Sequence, residues 1–403
     1  MGSESILKCE FLKRTKHHNF AEEKVIDRRQ FLQFAVSAAG MASSFTSWTF
    51  PGTNTASIQS TPEDHREVSE VENLSTRSRV GIIGVGDCGC NVVEHMIQHG
   101  VRGIRFIEAN THTSSMQINQ MHRMIHLCPQ GRLDGCDPAF GLRDGQDADG
   151  DIRNALDGTD MLFVIAGMGG NTGSGAAPAI ARMAREMGIV TVGLAITPFP
   201  FEGNRRLRKA EEWMSELEKD VNSLIVVPNE RMVNFLDDDC SMEEAFGFSN
   251  DFVQSVVGGI AQVINGRTRV NPEFENARDF VCAPYKFAVG SAMAAGTHRA
   301  RNAAELAISS PMFDDAEIFE LKRVLVLISS AKNSMKLSVS ECKRAVNSIR
   351  AYVPKDAILH YGAIYDENLG DQMRVIVIAA TRPLRRSPGV YAESQIRALE
   401  DLN

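Results

Sequence analysis

The stretch GIIGVGDCGCNVVEH, residues 81–95, indicates an apolar strand that runs through a glycine turn into a helix. Gly84, Gly86 and Gly89 have the spacing G-x-G-x-x-G, which lets the backbone approach a phosphate closely in α/β proteins. The pattern alone is weak, because many tight turns contain it. It raises the question of which phosphate the turn would hold.

From residue 79 onward, apolar segments alternate with segments of helical pattern. Such alternation predicts a parallel sheet with crossover helices, and therefore an α/β fold. The predicted strands of this first unit are 79–85, 103–110, 161–167, 189–196 and 223–229.

A long helix is predicted over residues 241–265, where Ser241 and Glu244 have the spacing of a capping box. Apolar residues recur at helical spacing along it, so one face is expected to be buried. A second α/β unit follows. Its predicted elements are strands at 322–330, 357–365 and 372–380 and a helix at 340–353.

The composition excludes several classes of protein. A formal net charge of -8 argues against nucleic acid as a partner, since phosphate neutralisation needs a basic face. The chain lacks an apolar run of about 18 residues, the minimum for a conventional membrane-spanning helix. The 8 cysteines, spread over 403 residues, are typical of reduced thiols rather than of a disulfide framework.

A second glycine loop follows the strand at 161–167, with the sequence GMGGNTGSG from Gly167 to Gly175. Its glycines allow backbone N–H groups to approach phosphate oxygens, and Thr172 and Ser174 add hydroxyl donors. A helix predicted to begin near Pro178 would point its positive end at the anion. Two such loops on neighbouring strands would hold a polyphosphate from two sides.

A dinucleotide site is the alternative. Glu108 ends the second predicted strand, 19 residues after Gly89, where an acid could bind a ribose hydroxyl. An NAD(P)-dependent oxidoreductase would use only this first loop and Glu108, and it has no need of the second loop.

The second loop resembles the tubulin signature, and the chain from about Arg79 to Pro383 resembles the bacterial tubulin homologue FtsZ. Further motifs follow in the family's order: TPFPFEGNRR (197–206), VVPNERM (226–232), AFGFSND (245–251) and AAELAISSP (303–311). The resemblance implies a tubulin-like fold, with a Rossmann-like GTP-binding domain, a long central helix and a smaller α/β C-terminal domain. The implied bounds are an extension at 1–78, the GTP-binding domain at 79–240, the central helix and the start of the following loop at 241–270, the C-terminal domain at 271–383 and a tail at 384–403.

The resemblance also implies that GTP or GDP, with Mg²⁺ as a further candidate, is the ligand. Glu202 would bind the ribose and Arg206 another polar edge of the nucleotide, while Asn229 and Asp251 would read the guanine edge and Phe246 would pack on its ring. The implied phosphate-binding residues are Gly86, Asp87, Cys88, Gly89, Cys90 and Asn91 in the first loop and Gly169, Gly170, Asn171, Thr172 and Gly173 in the second. Each has a simpler alternative: a tight turn for the glycines, a surface ion pair for Glu202 and Arg206, and a core position for Phe246.

The family places its hydrolytic carboxylates in the pattern Asn-x-Asp-x-x-Asp, on a loop that reaches the nucleotide of the next subunit. Here Asn271 is kept, Glu273 replaces the first acid and Asn276 replaces the second. Because an amide does not accept a proton at neutral pH, we expect slow or absent GTP hydrolysis.

The implied function is head-to-tail assembly into filaments, in cell division or another cytoskeletal role. The alternative is a non-hydrolysing structural paralogue that joins another FtsZ-like protein.

Several substitutions alter the phosphate side of the pattern. Asp87 would repel a polyphosphate by roughly 4 kcal/mol at about 4 Å and an effective dielectric of 20, so Mg²⁺ bridges them, Asp87 points away, or binding is weak. Cys88, Cys90, His112 and Cys136, with Cys128 nearby, suggest a zinc or redox site. We favour the alternative of small half-buried residues without a metal, because no CxxC pair is present.

Residues 1–78 lack core-forming periodicity, which predicts an extension outside the fold. Within it, Arg28 and Arg29 precede a mildly apolar stretch that resembles a twin-arginine export signal. The alternative is a basic arm that lies on an anionic membrane surface. Because a periplasm is not expected to supply GTP, we expect a cytoplasmic protein.

Overall fold

The fold is described by a computed structural model. It covers residues 79–101, 103–111, 122–127, 148–233, 236, 239–264, 274–313, 323–332 and 336–384, with side chains left out at 122 and 274–277. Several predictions lie outside these residues: the extension at 1–78, His112, Cys128, Cys136, Asn271, Glu273 and the tail beyond Leu384. Asn276 is within a helix, but its side chain is not described.

One ten-stranded sheet runs through the described residues in the order β3-β2-β1-β4-β5-β6-β7-β10-β8-β9. Strands β1 to β7 form a parallel series, β10 runs antiparallel to both β7 and β8, and β9 is parallel to β8. The strands are β1 Val80–Val85, β2 Arg105–Asn110, β3 His122–His126, β4 Met161–Gly167, β5 Val190–Thr197, β6 Ser223–Pro228, β7 Tyr285–Ala294, β8 Arg323–Ser330, β9 Ile358–Tyr365 and β10 Met373–Pro383.

All the strands predicted from the sequence are present, which confirms the predicted α/β fold class. Sequence pattern did not predict β3 and β7. β7 contains Gly290, Ser291 and several alanines, which have low strand propensity. Pairing with β10 along its length and with β6 at its start forms this strand in spite of its composition.

The helices of the described residues connect and cover these strands. They are α1 Gly86–Gln98, α2 Asp149–Leu156, α3 Asn171–Glu186, α4 Asn204–Asp220, α5 Asn229–Met232, α6 Met242–Ile264, α7 Phe274–Cys282, α8 Arg299–Ile308 and α9 Val339–Arg350. Within the part of the chain that the structure describes, none of them has both the length and the apolar character needed to cross a bilayer.

Helix α6 confirms the predicted long helix and its capping box. The Ser241 amide donates to Glu244 Oε2 at 2.8 Å, and the Glu244 amide donates back to Ser241 Oγ at 3.2 Å. Its predicted apolar face is buried, except that Phe252 is half-buried. Gly259 lies against strands β8 and β10, because a Cβ atom at this position would be 3.3 Å from both Ile376 and Leu327. α6 therefore packs on the C-terminal strands.

The starts of α1 and α3 differ from the sequence prediction. The helix predicted to begin near Pro178 begins at Asn171, so Pro178 is inside it, and α1 begins at Gly86. Each glycine in a helix costs roughly 1 kcal/mol relative to alanine, which made these stretches look like loops. Tertiary packing of the small residues against the sheet outweighs that cost.

We predict that Arg299→Ala destabilises the protein by about 3–5 kcal/mol, because it removes one partner of a buried ion pair. The Arg299 side chain is 1% exposed, and its Nε donates to Glu341 Oε1 at 2.8 Å. Arg301→Ala is the matched control on the same helix. It breaks an exposed pair with Glu305 and should cost less than about 1 kcal/mol. Denaturant unfolding of both variants checks this, and equal costs would contradict it.

Candidate functional site

The first six strands have the order 3-2-1-4-5-6, so the connection direction reverses between β1 and β4. In open α/β sheets, ligands bind outside the carboxyl ends of the strands at such a switch point. Helices α1 and α3 begin there, directly after β1 and shortly after β4. The prediction that the two glycine loops lie on neighbouring strands is therefore confirmed.

The two helix starts are in backbone contact. Gly86 has φ +68°, and a Cβ atom added to it would lie 2.9 Å from the amide nitrogen of Gly173. A Cβ on Gly173 would in turn lie 2.5 Å from the carbonyl oxygen of Gly167. Neither position has room for a side chain, so the glycines bring the two helix N-termini together.

Neither helix has a side-chain cap at its start. The N-cap residues of α1 and α3 are Val85 and Gly170. Neither has a side chain that accepts a hydrogen bond from the backbone amides of the first turn. Among the other helices, α6 and α9 are capped by Ser241 and Ser338, whereas α2, α4, α5 and α8 also lack a side-chain cap. Because the first amides of a helix need partners and carry its positive end, two adjacent uncapped starts form a site suited to an anion.

The structure places the predicted phosphate-binding residues on these helices. Asp87 and Asn91 are exposed, and Asn171 and Thr172 are half-buried. Gly86, Asp87, Cys88, Gly89, Cys90 and Asn91 are the first six residues of α1, Gly169 and Gly170 precede α3, and Asn171, Thr172 and Gly173 open it.

Ser174 does not have the role that the sequence suggested. Its side chain is fully buried, and its Oγ accepts a hydrogen bond from the Gly169 amide at 2.8 Å. The hydroxyl therefore holds the turn before α3 closed instead of facing a ligand. Thr172 remains at the surface, where its Oγ1 is 3.1 Å from Thr111 Oγ1.

The Asp87 carboxylate is held by an amide. Asn110, buried at the end of β2, donates from Nδ2 to Asp87 Oδ1 at 2.7 Å. The other side of the same amide accepts from the Thr111 N–H at 2.8 Å, which fixes its orientation. Asp87 is thus turned toward β2, a contact that the sequence pattern did not indicate.

The two described cysteines of the site have protonated thiols. Burial raises the pKa of Cys88 to about 12, with Glu202 adding to the effect, and burial also raises the pKa of Cys90. The Cys90 thiol donates to the Gly84 carbonyl at 3.6 Å. Since oxidants react with the thiolate, burial makes both thiols poorly reactive in the metal-free protein. His112, Cys128 and Cys136 are outside the described residues.

Glu202 and Arg206 form the ion pair that was considered as an alternative, with Arg206 Nη1 and Glu202 Oε2 at 3.1 Å. Glu202 Oε1 also accepts from the Phe199 amide at 2.8 Å. This pair lies beside the second glycine turn, because a Cβ on Gly169, which has φ +90°, would be 2.5 Å from the Arg206 carbonyl oxygen. Glu202 and Arg206 therefore form an ion pair and also lie beside the predicted phosphate-binding turn.

The predicted base-reading residues lie on α5 and α6. Phe246 is 40% exposed and meets Phe199 edge-on at 5.4 Å, so the alternative of a core position is wrong. Asn229 is buried, and its Oδ1 accepts from the Ser249 hydroxyl at 2.9 Å. Asp251 is exposed, with Oδ1 at 2.7 Å from His95 Nε2. Ser249 and His95 orient these side chains and were not predicted as site residues.

Glu108 does not suit the dinucleotide alternative. It is 3% exposed in β2, and burial, with a smaller effect of Glu94, raises its pKa to about 7. A buried carboxyl that is protonated in about half of the molecules near neutral pH is a poor acceptor for a ribose hydroxyl at the sheet edge.

Comparison with known proteins agrees with this arrangement. A model of the "Tubulin/FtsZ family, GTPase domain" matches residues 79–237, and one of the "FtsZ family, C-terminal domain" matches residues 286–382. A cell division protein FtsZ from Buchnera aphidicola subsp. Schizaphis graminum is 34% identical over 313 residues, covering 77% of this chain and 81% of the relative. The chain belongs to the tubulin/FtsZ family.

Other members of the tubulin/FtsZ family show the same likeness. FtsZ from Pseudomonas aeruginosa is 34% identical, over 77% of this chain and 78% of its own. An FtsZ dimer structure from M. jannaschii has a TM-score of 0.70 at 23% identity and covers 77% of this chain and 90% of that one. A CetZ2 protofilament structure from Haloferax volcanii has a TM-score of 0.61 at 21% identity. This match covers 80% of this chain and 98% of the CetZ2 chain. These structures confirm the tubulin-like fold.

We predict that Glu108→Gln makes the stability less dependent on pH. The pKa of Glu108 is raised on folding, so the wild type loses stability as the pH rises toward and through 7, where the buried carboxyl ionises. Glutamine removes that cost, and the variant should gain roughly 1–2 kcal/mol more over wild type at pH 8 than at pH 5. Urea unfolding at both pH values measures it. The exposed Glu212→Gln is the control, and the same small difference for both variants would refute the assignment.

Proposed function

We propose that this protein binds a guanine nucleotide at the carboxyl edge of β1 and β4. The observation that carries the proposal is the contact between two helix N-termini without side-chain caps at the switch point of the sheet. Their amides would hold the phosphates, together with Asn171 and Thr172 at the start of α3. The family to which the chain belongs supports a nucleotide as the anion.

The guanosine part would extend from these helix starts toward α6. Phe246 offers an exposed ring for stacking, and Asp251 offers a carboxylate that could accept from the guanine N–H groups. Asn229 is oriented by Ser249, so its amide nitrogen is left to donate to the base. Glu202 and Arg206 form an ion pair beside Gly169. Glu202 would bind the ribose, and Arg206 would bind another polar edge of the nucleotide.

The charge of the Asp87 carboxylate favours binding of Mg²⁺ together with the triphosphate. A bare carboxylate near the phosphates is repulsive by roughly 4 kcal/mol, and a divalent cation between them removes that cost. We propose that Mg²⁺ is recruited with the nucleotide, while Asn110 keeps Asp87 in place.

We further propose assembly head to tail into filaments with a role in cell division. One structural neighbour is described as an FtsZ dimer and another as a GTPγS-bound CetZ2 protofilament, while the sequence relatives are cell division proteins. The residues 271–276 of one subunit would complete the nucleotide site of the next, with the domains bounded at 79–240, 241–270 and 271–383. A contact that uses two different surfaces does not close, so its repetition makes a filament. The cytoplasm, where GTP is present, is the proposed compartment.

Hydrolysis is proposed to be slow, because Asn276 replaces the second carboxylate of the family's pattern. A filament subunit that binds GTP without turning it over is the second candidate function, and this same substitution favours it. Sedimentation with phosphate release measured in parallel separates the two. Assembly without turnover identifies the non-hydrolysing subunit.

We predict that Phe246→Ala weakens GDP binding by about tenfold or more, since base stacking on an aromatic ring contributes roughly 1–3 kcal/mol. Phe201→Ala is the matched control, because Phe201 is also exposed and also packs on Phe199, with the two rings stacked at 5.0 Å. It should bind GDP like the wild type. Calorimetry in the presence of Mg²⁺ measures both. Absence of binding heat for GTP and GDP with folded wild type would sink the proposed function.

We predict that Asn276→Asp raises the rate of phosphate release roughly a hundredfold, because it restores a group able to accept a proton in water activation. Asn276→Gln, which keeps an amide, is the control and should remain slow. Release is measured under conditions in which both variants sediment with GTP. A wild type that already turns over as fast as the aspartate variant would contradict the assignment.

A further inference from the structure

A cluster of possible metal ligands lies at the C-terminal end of α1, away from its glycine start. His95, His99 and Asp251 each offer one ligand atom, and these atoms all lie within 4.8 Å of one another. The two histidines are separated by one helical turn, so they share a face of the helix, and their ring centroids are 4.0 Å apart. Asp251 approaches from α6, with its Oδ1 at 2.7 Å from His95 Nε2.

The hydrogen bond of His99 determines which of its nitrogens is available. His99 Nδ1 is 2.8 Å from the carbonyl oxygen of His95. A carbonyl only accepts, so Nδ1 carries the proton, and the lone pair of the neutral ring is on Nε2. Metal-binding histidines are oriented in this way, by donating their other ring N–H to a carbonyl or carboxylate. His99 is thus preset as a ligand through Nε2.

The local charges favour a cation. The last carbonyls of α1 form the negative end of the helix, and the Asp251 carboxylate adds a full negative charge. Glu94 is on the same helix, one residue before His95. Arg374 is the opposing group: it lies within electrostatic range of Asp251, but its guanidinium is paired with Asp366 at 3.7 Å.

We propose that His95, His99 and Asp251 form a site for a divalent transition metal of the Zn²⁺ class. Two imidazoles and one carboxylate are ligands that zinc accepts in sites with three protein ligands and an open position for water. The metal replaces the His95–Asp251 hydrogen bond, and the proton leaves His95 Nε2 for Nδ1 by way of water. The exposed side chains of His99 and Asp251 complete the geometry by small rotations.

The site has a consequence for the nucleotide, and this part rests on the proposed function. Asp251 is also the proposed reader of the guanine edge, and one carboxylate cannot fully serve both the metal and the base. Zn²⁺ should therefore weaken GDP binding, which would make nucleotide occupancy responsive to the metal.

The first test is calorimetric titration of Zn²⁺ into the chelator-stripped full-length protein without nucleotide. The wild type should show a binding event that is weakened at least about tenfold in His99→Ala and in His95→Ala, since even changes behind the ligands cost roughly 10–100-fold. His298→Ala, which removes another exposed histidine outside the cluster, is the matched control and should bind like the wild type. Titrations of wild type, His99→Ala and His95→Ala that superimpose would overturn the proposal, whatever other Zn²⁺ the chain binds.

The second test measures GDP affinity at constant Mg²⁺, with and without saturating Zn²⁺, using a chelator selective for Zn²⁺ over Mg²⁺ in the zinc-free arm. Zn²⁺ should lower the GDP affinity of the wild type at least fivefold and should have no effect on His99→Ala. Equal affinities in both arms for the wild type would exclude the coupling. Absence of GDP binding in the zinc-free arm, with Mg²⁺ present, would be a failure of the proposed function alone, because the first test involves no nucleotide.

Discussion

The structure depends on the close contact between the first turns of α1 and α3. Any side chain on Gly86 or Gly173 would collide with backbone atoms of the other segment or of β4. With this contact in place, Thr172 reaches Thr111 and the backbone of Arg206 closes over Gly169. Four segments that are distant in sequence are thereby assembled around one pair of helix starts. The first amides of these two helices lie next to each other at the carboxyl edge of β1 and β4.

Helix α6 connects this region to the rest of the protein. Its N-terminal half meets α5 through Ser249 and Asn229, and it meets α1 through Asp251 and His95. Farther along, Gly259 packs against β8 and β10. Phe246 and Asp251, two of the side chains proposed to contact the base, and the residues that pack on the C-terminal strands therefore lie on the same helix.

The electrostatics of the site divide into two parts. Beneath the helix starts, burial keeps the thiols of Cys88 and Cys90 protonated and disfavours ionisation of Glu108. At the surface, Asp87, Glu202 and Asp251 each have a specific partner in Asn110, Arg206 and His95. An anion at the helix amides would thus lie above buried side chains that carry little charge. The carboxylates nearer the surface are already held in defined positions by their partners.

The sequence by itself determined all the described strands except β3 and β7, the long helix with its cap, and the motifs that indicate the family. These features are local, because periodicity, capping and motif spacing act over a few to some twenty residues. Only the tertiary structure decided that α1 and α3 begin within the glycine stretches, since packing against the sheet outweighs low helix propensity. It also decided the partners of Asp87, Asn229 and Asp251. His95 and Asp251 are 156 residues apart, and no local pattern encodes a contact over that distance.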